Sequence, residues 1–127
     1  MPEITFARVA SYEESHTVSA AVYVLQVEGL GELGPEACEQ ISDEIVALLC
    51  AGHLRLALDF SKVEHVHFRR ARAMLVPRRR LARASGGELA VFGASDYVEQ
   101  ILRAAGCEEV PRAATEEEAV RIVAGNA

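Results

Sequence analysis

Cysteine is scarce in this chain and shows no pairing. Cys38, Cys50 and Cys107 are odd in number, widely spaced and free of any C-x-x-C pattern. They read as reduced, small apolar side chains with no metal or redox role. No apolar run approaches the length that spans a bilayer, and the N-terminus lacks the basic-then-apolar order of a secretion signal, so a cytoplasmic soluble protein is expected. There is no glycine-rich phosphate loop, no nucleophile–histidine–acid set and no ligand cluster, which argues against an enzyme and implies no cofactor. His65 and His67 could face one way on a strand, but no further ligand stands at useful spacing, and no metal is expected. Asp59 and Glu64 likewise lack a nucleophile to serve. Aromatic residues make up 6% of the chain.

Acid is what one segment lacks altogether. From Val66 to Gly87 the chain reads VHFRRARAMLVPRRRLARASGG, with Arg69, Arg70, Arg72, Arg78, Arg79, Arg80 and Arg83 and no carboxylate. These are seven of 13 basic residues, in a protein whose formal net charge is −6. The rest of the chain holds six basic residues against 19 acidic ones. Such concentration marks either a working surface or a solvated helix face. The overall acidity argues against indiscriminate nucleic-acid binding. Only Phe68 stands near the arginines as a base-stacking partner, which argues the same way.

The length fits one domain over residues 1–127, with enough chain to bury its own core. Ile4 to Val9 suits a short strand, and Ser11 to His16 a turn. Val18 to Val27, rich in β-branched residues, fits a buried strand pairing antiparallel with the first. Three glycines then break the chain. From Pro35, the residues Cys38, Ile41, Ile45, Leu48 and Leu49 recur at helical steps, and Gly52 stands where a C-terminal cap belongs. Leu54 to Phe60 alternates as a strand, and its place after a helix implies a β-α-β crossover and a parallel pair. Ser61 to His67 leads on as a strand end or loop, with Asp59 expected to bond nearby backbone.

On a helical wheel Phe68, Ala71, Met74, Leu75, Leu81 and Ala82 share one side of the arginine segment. Pro77 should kink this helix or split it in two. Ser85-Gly86-Gly87 ends it, and Leu89 to Phe92 is a short apolar strand. Ser95 caps a helix from Asp96 to about Ala105, stopped by Gly106. Val110 to Ala113 suits a last strand. Thr115 and Glu118 stand at capping-box spacing before a final helix. The order ββαβαβα(β)α is an α/β fold, with a mixed sheet of four to five strands and about four helices.

With these elements placed, the chain resembles the STAS domains of bacterial anti-sigma factor antagonists and sulphate-transporter cytoplasmic tails. Leu56-Ala57-Leu58-Asp59-Phe60-Ser61-Lys62-Val63 is similar to the family's V-x-L-D-L-S-G-V strand and turn. Gly86-Gly87-Glu88-Leu89-Ala90-Val91 is similar to its G-G-x-L-x-L. Val98 to Gly106 with Cys107-Glu108-Glu109-Val110 is similar to the family's closing helix and turn. The resemblance implies a non-enzymatic regulatory module working by protein–protein contact. It also implies that the turn after the first motif carries D-S-S-G, whose second serine a partner kinase phosphorylates. Here that window is His67-Phe68-Arg69-Arg70-Ala71, without Ser, Thr, Tyr or Asp. No phosphorylation site is carried over, because guanidinium reverses the sign of charge that phosphate would bring.

The expected partner-binding surface is therefore His67, Phe68, Arg69, Arg70 and Arg72, with Leu30 and Leu33 from the loop at Gly29 to Gly34. Its partner would be an acidic surface on another protein, such as an anti-sigma factor or kinase, or another STAS protein; a homodimer is an open alternative. Nucleic acid, nucleotide or anionic lipid on residues 69–83, or a role as accessory subunit of a membrane transport assembly, are the rivals.

Overall fold

The computed structural model describes residues 8–13, 19–27 and 32–125. Two strands open it, β1 (Arg8–Glu13) and β2 (Ser19–Gln26), paired antiparallel from Arg8↔Val24 to Glu13↔Ser19. Of the strand expected over Ile4–Val9, Arg8 and Val9 are in β1, which extends on to Glu13. Expected turn residues Ser11, Tyr12 and Glu13 are strand; residues 4–7 lie outside the described ones.

Next come β3 (Glu32–Leu33), α1 (Pro35–Cys50), β4 (Arg55–Asp59), β5 (His65–Val66) and α2 (Phe68–Ala84). The chain closes with β6 (Glu88–Phe92), α3 (Asp96–Ala104), β7 (Arg112–Ala113) and α4 (Glu116–Val123). The main sheet runs β1-β2-β4-β6-β7, with β2, β4, β6 and β7 parallel. It is the mixed α/β sheet read from the element order. A second, two-stranded sheet pairs β3, expected to be a loop, with β5, expected to be a strand end or loop. Two residues a side are too few for a periodic pattern.

Helices cover both faces of the main sheet. On one side, Leu25, Leu56, Leu58, Leu89 and Val91 meet the stripes of α1 (Ile41, Ile45), α2 (Met74, Leu75) and α3 (Val98, Leu102). On the other, Val22, Val24, Ala57, Ala90 and Phe92 meet Ala119, Val120 and Val123 of α4. Burial from both faces is why β4 and β6 read as nearly continuous apolar runs. The large residues point to the three-helix side, and alanine lets α4 approach the other.

The ends of the helices follow the expected chemistry. Ser95 Oγ accepts from Val98 N–H at 3.1 Å and Thr115 Oγ1 from Glu118 N–H at 3.2 Å. Asp59 Oδ1 accepts from Ser61 N–H at 2.9 Å, closing the turn after β4. Gly86 takes φ +93° to end α2. Its neighbour Gly87 is required for a different reason. A Cβ there would stand 1.8 Å from the Leu54 carbonyl oxygen, so only glycine lets β6 enter beside β4.

Helix α2 departs from expectation in two ways. It runs unbroken through Pro77, whose exposed position leaves water to serve the carbonyl one turn back. Phe68 and Leu81, placed on the apolar side by the wheel, are 54% and 41% exposed. The buried row is Ala71, Met74, Leu75, Val76 and Ala82. Among the described residues, no helix is long and apolar enough to cross a membrane.

Candidate binding corner at the start of helix α2

The short β3–β5 pair fixes where α2 begins. Leu33 lies opposite Val66, and the Leu33 carbonyl accepts from His67 N–H at 2.7 Å. Val66 is fully buried, so the lead-in is anchored in the core while the next residues emerge from it. His67 is the N-terminal cap residue of α2; its carbonyl accepts from Arg70 and Ala71 N–H, both at 3.1 Å. No side chain caps the first turn. Nδ1 of His67 is buried without a hydrogen-bond partner among the described residues.

Beneath this corner lies Cys38 of α1, whose thiol donates to the Leu33 carbonyl at 3.6 Å. Burial pushes its pKa up to about 11, against smaller opposing effects of the His67 backbone N–H and Arg70. It is a protonated packing group rather than a nucleophile. Cys107 is also buried and raised for the same reason, while Cys50 is exposed; all three are free.

The seven arginines of α2 divide into two groups. Four are engaged within the molecule. Arg78 Nε donates to Ser42 Oγ of α1 at 2.7 Å. Arg79 grips Glu88 with both Nε (2.8 Å to Oε1) and Nη2 (3.0 Å to Oε2), and Arg83 Nη1 reaches Oε2 at 2.8 Å. Leu89 N–H adds a bond to Oε1 at 2.9 Å. Glu88 is 8% exposed. Burial alone would raise its carboxyl, but the bonds from Arg79, Leu89 N–H and Arg83 outweigh that and hold it below the ordinary carboxylate range. On the surface, Arg80 forms a two-bond pair with Glu109 at 2.8 and 3.0 Å, which lowers the Glu109 carboxyl.

The other three, Arg69, Arg70 and Arg72, are exposed and make no hydrogen bond or ion pair among the described residues. They occupy the first turn and a half of α2, where positive charge opposes the helix dipole by a few tenths of a kcal/mol. The Arg72 stem passes over Gly106, where a Cβ would stand 3.4 Å from its Cδ. Arg70 lines one wall of a groove of about 210 Å³ between α1 and α2, with Glu39, Asp43 and Arg78 also on its walls.

Aromatic surface completes the corner. Phe68 is more than half exposed, as is Tyr97 of α3 at 53%. Tyr97 stacks on His65 with ring centroids 5.8 Å apart, and its hydroxyl lies 3.0 Å from His65 Nδ1. That contact occupies one of the two histidines considered as a metal pair. No group of three or more potential metal ligands occurs among the described residues.

Of the residues expected to form the surface, Phe68, Arg69, Arg70 and Arg72 are exposed and His67 is half-buried, with Arg70 toward α1 and Arg72 toward Gly106. Leu33 is a correction: it is 3% exposed, its side chain is part of the core, and only its backbone carbonyl serves the corner. Leu30 lies outside the described residues. Tyr97 and His65 were not placed in the surface by sequence reasoning. The available signal was an aromatic beside, rather than on, the buried Val98–Leu102 row of α3.

No family model matches the sequence, and no curated protein matches it. Among solved structures, the anti-sigma factor antagonist SpoIIAA in its unphosphorylated form is similar with a TM-score of 0.61 at 20% identity, covering 90% of this chain and 96% of that one. A point variant of RsbS from Moorella thermoacetica gives 0.63 at 18% identity, covering 91% and 94%. An anti-sigma-factor antagonist (STAS) domain protein from Planctomyces limnophilus gives 0.59 at 19% identity, covering 93% and 98%. These likenesses are of architecture, and the chain has the STAS fold, the fold of the anti-sigma factor antagonists.

Proposed function

We propose that this chain is a non-enzymatic regulatory binding module of the bacterial cytoplasm. It docks an acidic protein surface through Phe68, Arg69, Arg70 and Arg72, with His67 at their base and the His65–Tyr97 stack beside them. The observation that carries this reading is the division of the arginines. The segment's C-terminal half is held by Ser42, Glu88 and Glu109, whereas its N-terminal three are unpaired, exposed and set against the helix dipole. Unpaired arginine beside exposed aromatic rings is the composition of an interface core rather than of an average surface. A charge placed where it costs the helix stability points to a use outside the fold.

The neighbours in fold are anti-sigma factor antagonists, and a partner of the anti-sigma factor kind is the corresponding expectation here. Docking would not be switched by phosphate at this corner, because the residues from His67 to Ala71 offer no hydroxyl. A nucleotide fits less well. The α1–α2 groove sets Glu39 and Asp43 opposite Arg70 and Arg78, so a phosphate would meet carboxylates as well as guanidinium groups.

The test is a paired capture from the source cell's lysate using wild type and the Arg69→Glu/Arg70→Glu/Arg72→Glu variant, with circular dichroism confirming that the variant is folded. Loss of an acidic-faced protein by the folded variant supports the reading. Equal retention by both proteins overturns it. Salt titration of the complex tests the charge: an arginine-led contact with an acidic surface weakens as salt rises, and a complex indifferent to salt would place the interface elsewhere.

A further inference from the structure

Helix α1 carries the counterpart of the arginine corner. Its outward row is Glu36, Glu39 and Asp43, all exposed and, among the described residues, without a hydrogen bond or ion pair. With Gln40 these residues line a surface notch of about 250 Å³ that holds no basic side chain. The acid row lies beside Arg70, whereas Arg72 turns the other way, over Gly106 beyond α3. Both helices follow parallel strands of one sheet and pack on the same face of it, so they run in the same direction side by side. Both rows begin in the first turn of their helices, at Glu36 and Arg69. Arg70 even shares the α1–α2 groove with Glu39 and Asp43, yet no ion pair closes across it. Among the described residues, three carboxylates on α1 and three guanidinium groups on α2 are thus unpaired and do not satisfy one another.

Resting on the reading of this corner as a docking surface, we infer that its occupant is a second copy of this chain. A two-fold axis through the N-terminal end of the α1–α2 groove lays the acid row of each copy against Arg69 and Arg70 of the other, with Arg72 outside the contact on the α3 side. Such an interface is isologous, so every charge contact is made twice. Pro35 and Ala73, which line the groove, let the backbones approach, and Phe68 stands at the same end of α2. Each arginine finds at the all-acid notch the planar carboxylate partners that its own chain withholds. The pairing is electrostatic at its rim and therefore weakens as salt screens it.

The test is sedimentation velocity over a wide concentration range, at low and moderate salt, on four proteins. These are wild type, Arg69→Glu/Arg70→Glu/Arg72→Glu, Glu36→Lys/Glu39→Lys/Asp43→Lys, and the chain carrying all six changes. Wild type is expected to dimerise, and each three-site variant to raise the dimer dissociation constant by about tenfold or more. An equimolar mixture of the two three-site variants, and the six-site chain alone, should regain dimerisation, because both restore opposite charges at both contacts. Since all six side chains are exposed, a folding defect would not be rescued by mixing. A wild type that stays monomeric, or three-site variants that dimerise as well as wild type, would overturn the inference, as would failure of the mixture to pair. A monomeric wild type that still loses a cellular partner through the arginine variant would leave the docking reading standing and remove only the second copy as its occupant.

Discussion

Replacing Glu88 by glutamine removes the charge that ties the end of α2 to the start of β6. In the native protein the carboxylate accepts four hydrogen bonds, three from Arg79 and Arg83 and one from Leu89 N–H. The side chains of Glu88 and Arg79 are 10% and 18% exposed, whereas that of Arg83 is 58% exposed and recovers water easily. Glutamine keeps one accepting oxygen but turns an N–H₂ group toward a guanidinium, leaving Arg79 largely desolvated and half paired. Breaking one partner of a fully buried pair costs about 3–5 kcal/mol. With Arg83 in solvent, about 2–3 kcal/mol is the expectation for Glu88→Gln, equivalent to about 6–15 °C in Tm for a domain of this size.

Urea denaturation followed by far-ultraviolet circular dichroism at pH 7 measures the difference directly. The pH dependence supplies a second check. The folded-state pKa of Glu88 lies below its unfolded value near 4.5. Its contribution is therefore fully present above that value and is lost as pH falls through the folded one. Wild type and variant should differ most at neutral pH and converge at acid pH. A difference below about 0.5 kcal/mol at pH 7, the range of ordinary surface changes, would refute the latch.

Two further outcomes follow from the fold. Gly87→Ala places a methyl group 1.8 Å from the Leu54 carbonyl oxygen and must displace one of the two strands at that point. A loss of about 3 kcal/mol or more, or insoluble protein, is expected, and a Tm within 2–3 °C of wild type by about the same scale would contradict the close approach. Arg69→Ala/Arg70→Ala should leave stability unchanged or raise it by about 0.3–1 kcal/mol, because it removes cations from a helix N-terminus. Urea unfolding that shows a loss of about 1 kcal/mol would mean that these arginines hold the fold together.

The helices and the core strands were legible because each buries a stripe that a period of 3.6 or 2 reports. Ile41, Ile45, Leu48 and Leu49 on α1, Leu56 and Leu58 on β4, and Phe60 just after it are all buried. The β3–β5 pair was not legible, being two residues a side and held by pairing across more than thirty positions of chain. Phe68 and Leu81 misled the wheel: both are exposed although Ala71 and Ala82, placed on the same side, are fully buried. Leu33, read as loop surface, is buried because the β3–β5 pair draws it inward.

The charge cluster marks the boundary between the two kinds of information. Its composition, its helical form and its place after the Leu54–Phe60 strand follow from the order of residues, since charge and periodicity are local properties. Which arginines are free is not local. Arg79 and Arg83 are claimed by a carboxylate on the next strand, Arg80 by one beyond α3, and Arg78 by a serine on α1. An ion pair needs its partners within about 4 Å, a condition that only packing can meet. The same packing left Arg69, Arg70 and Arg72 without partners among the described residues, and so turned a basic segment into a corner with three charges to offer.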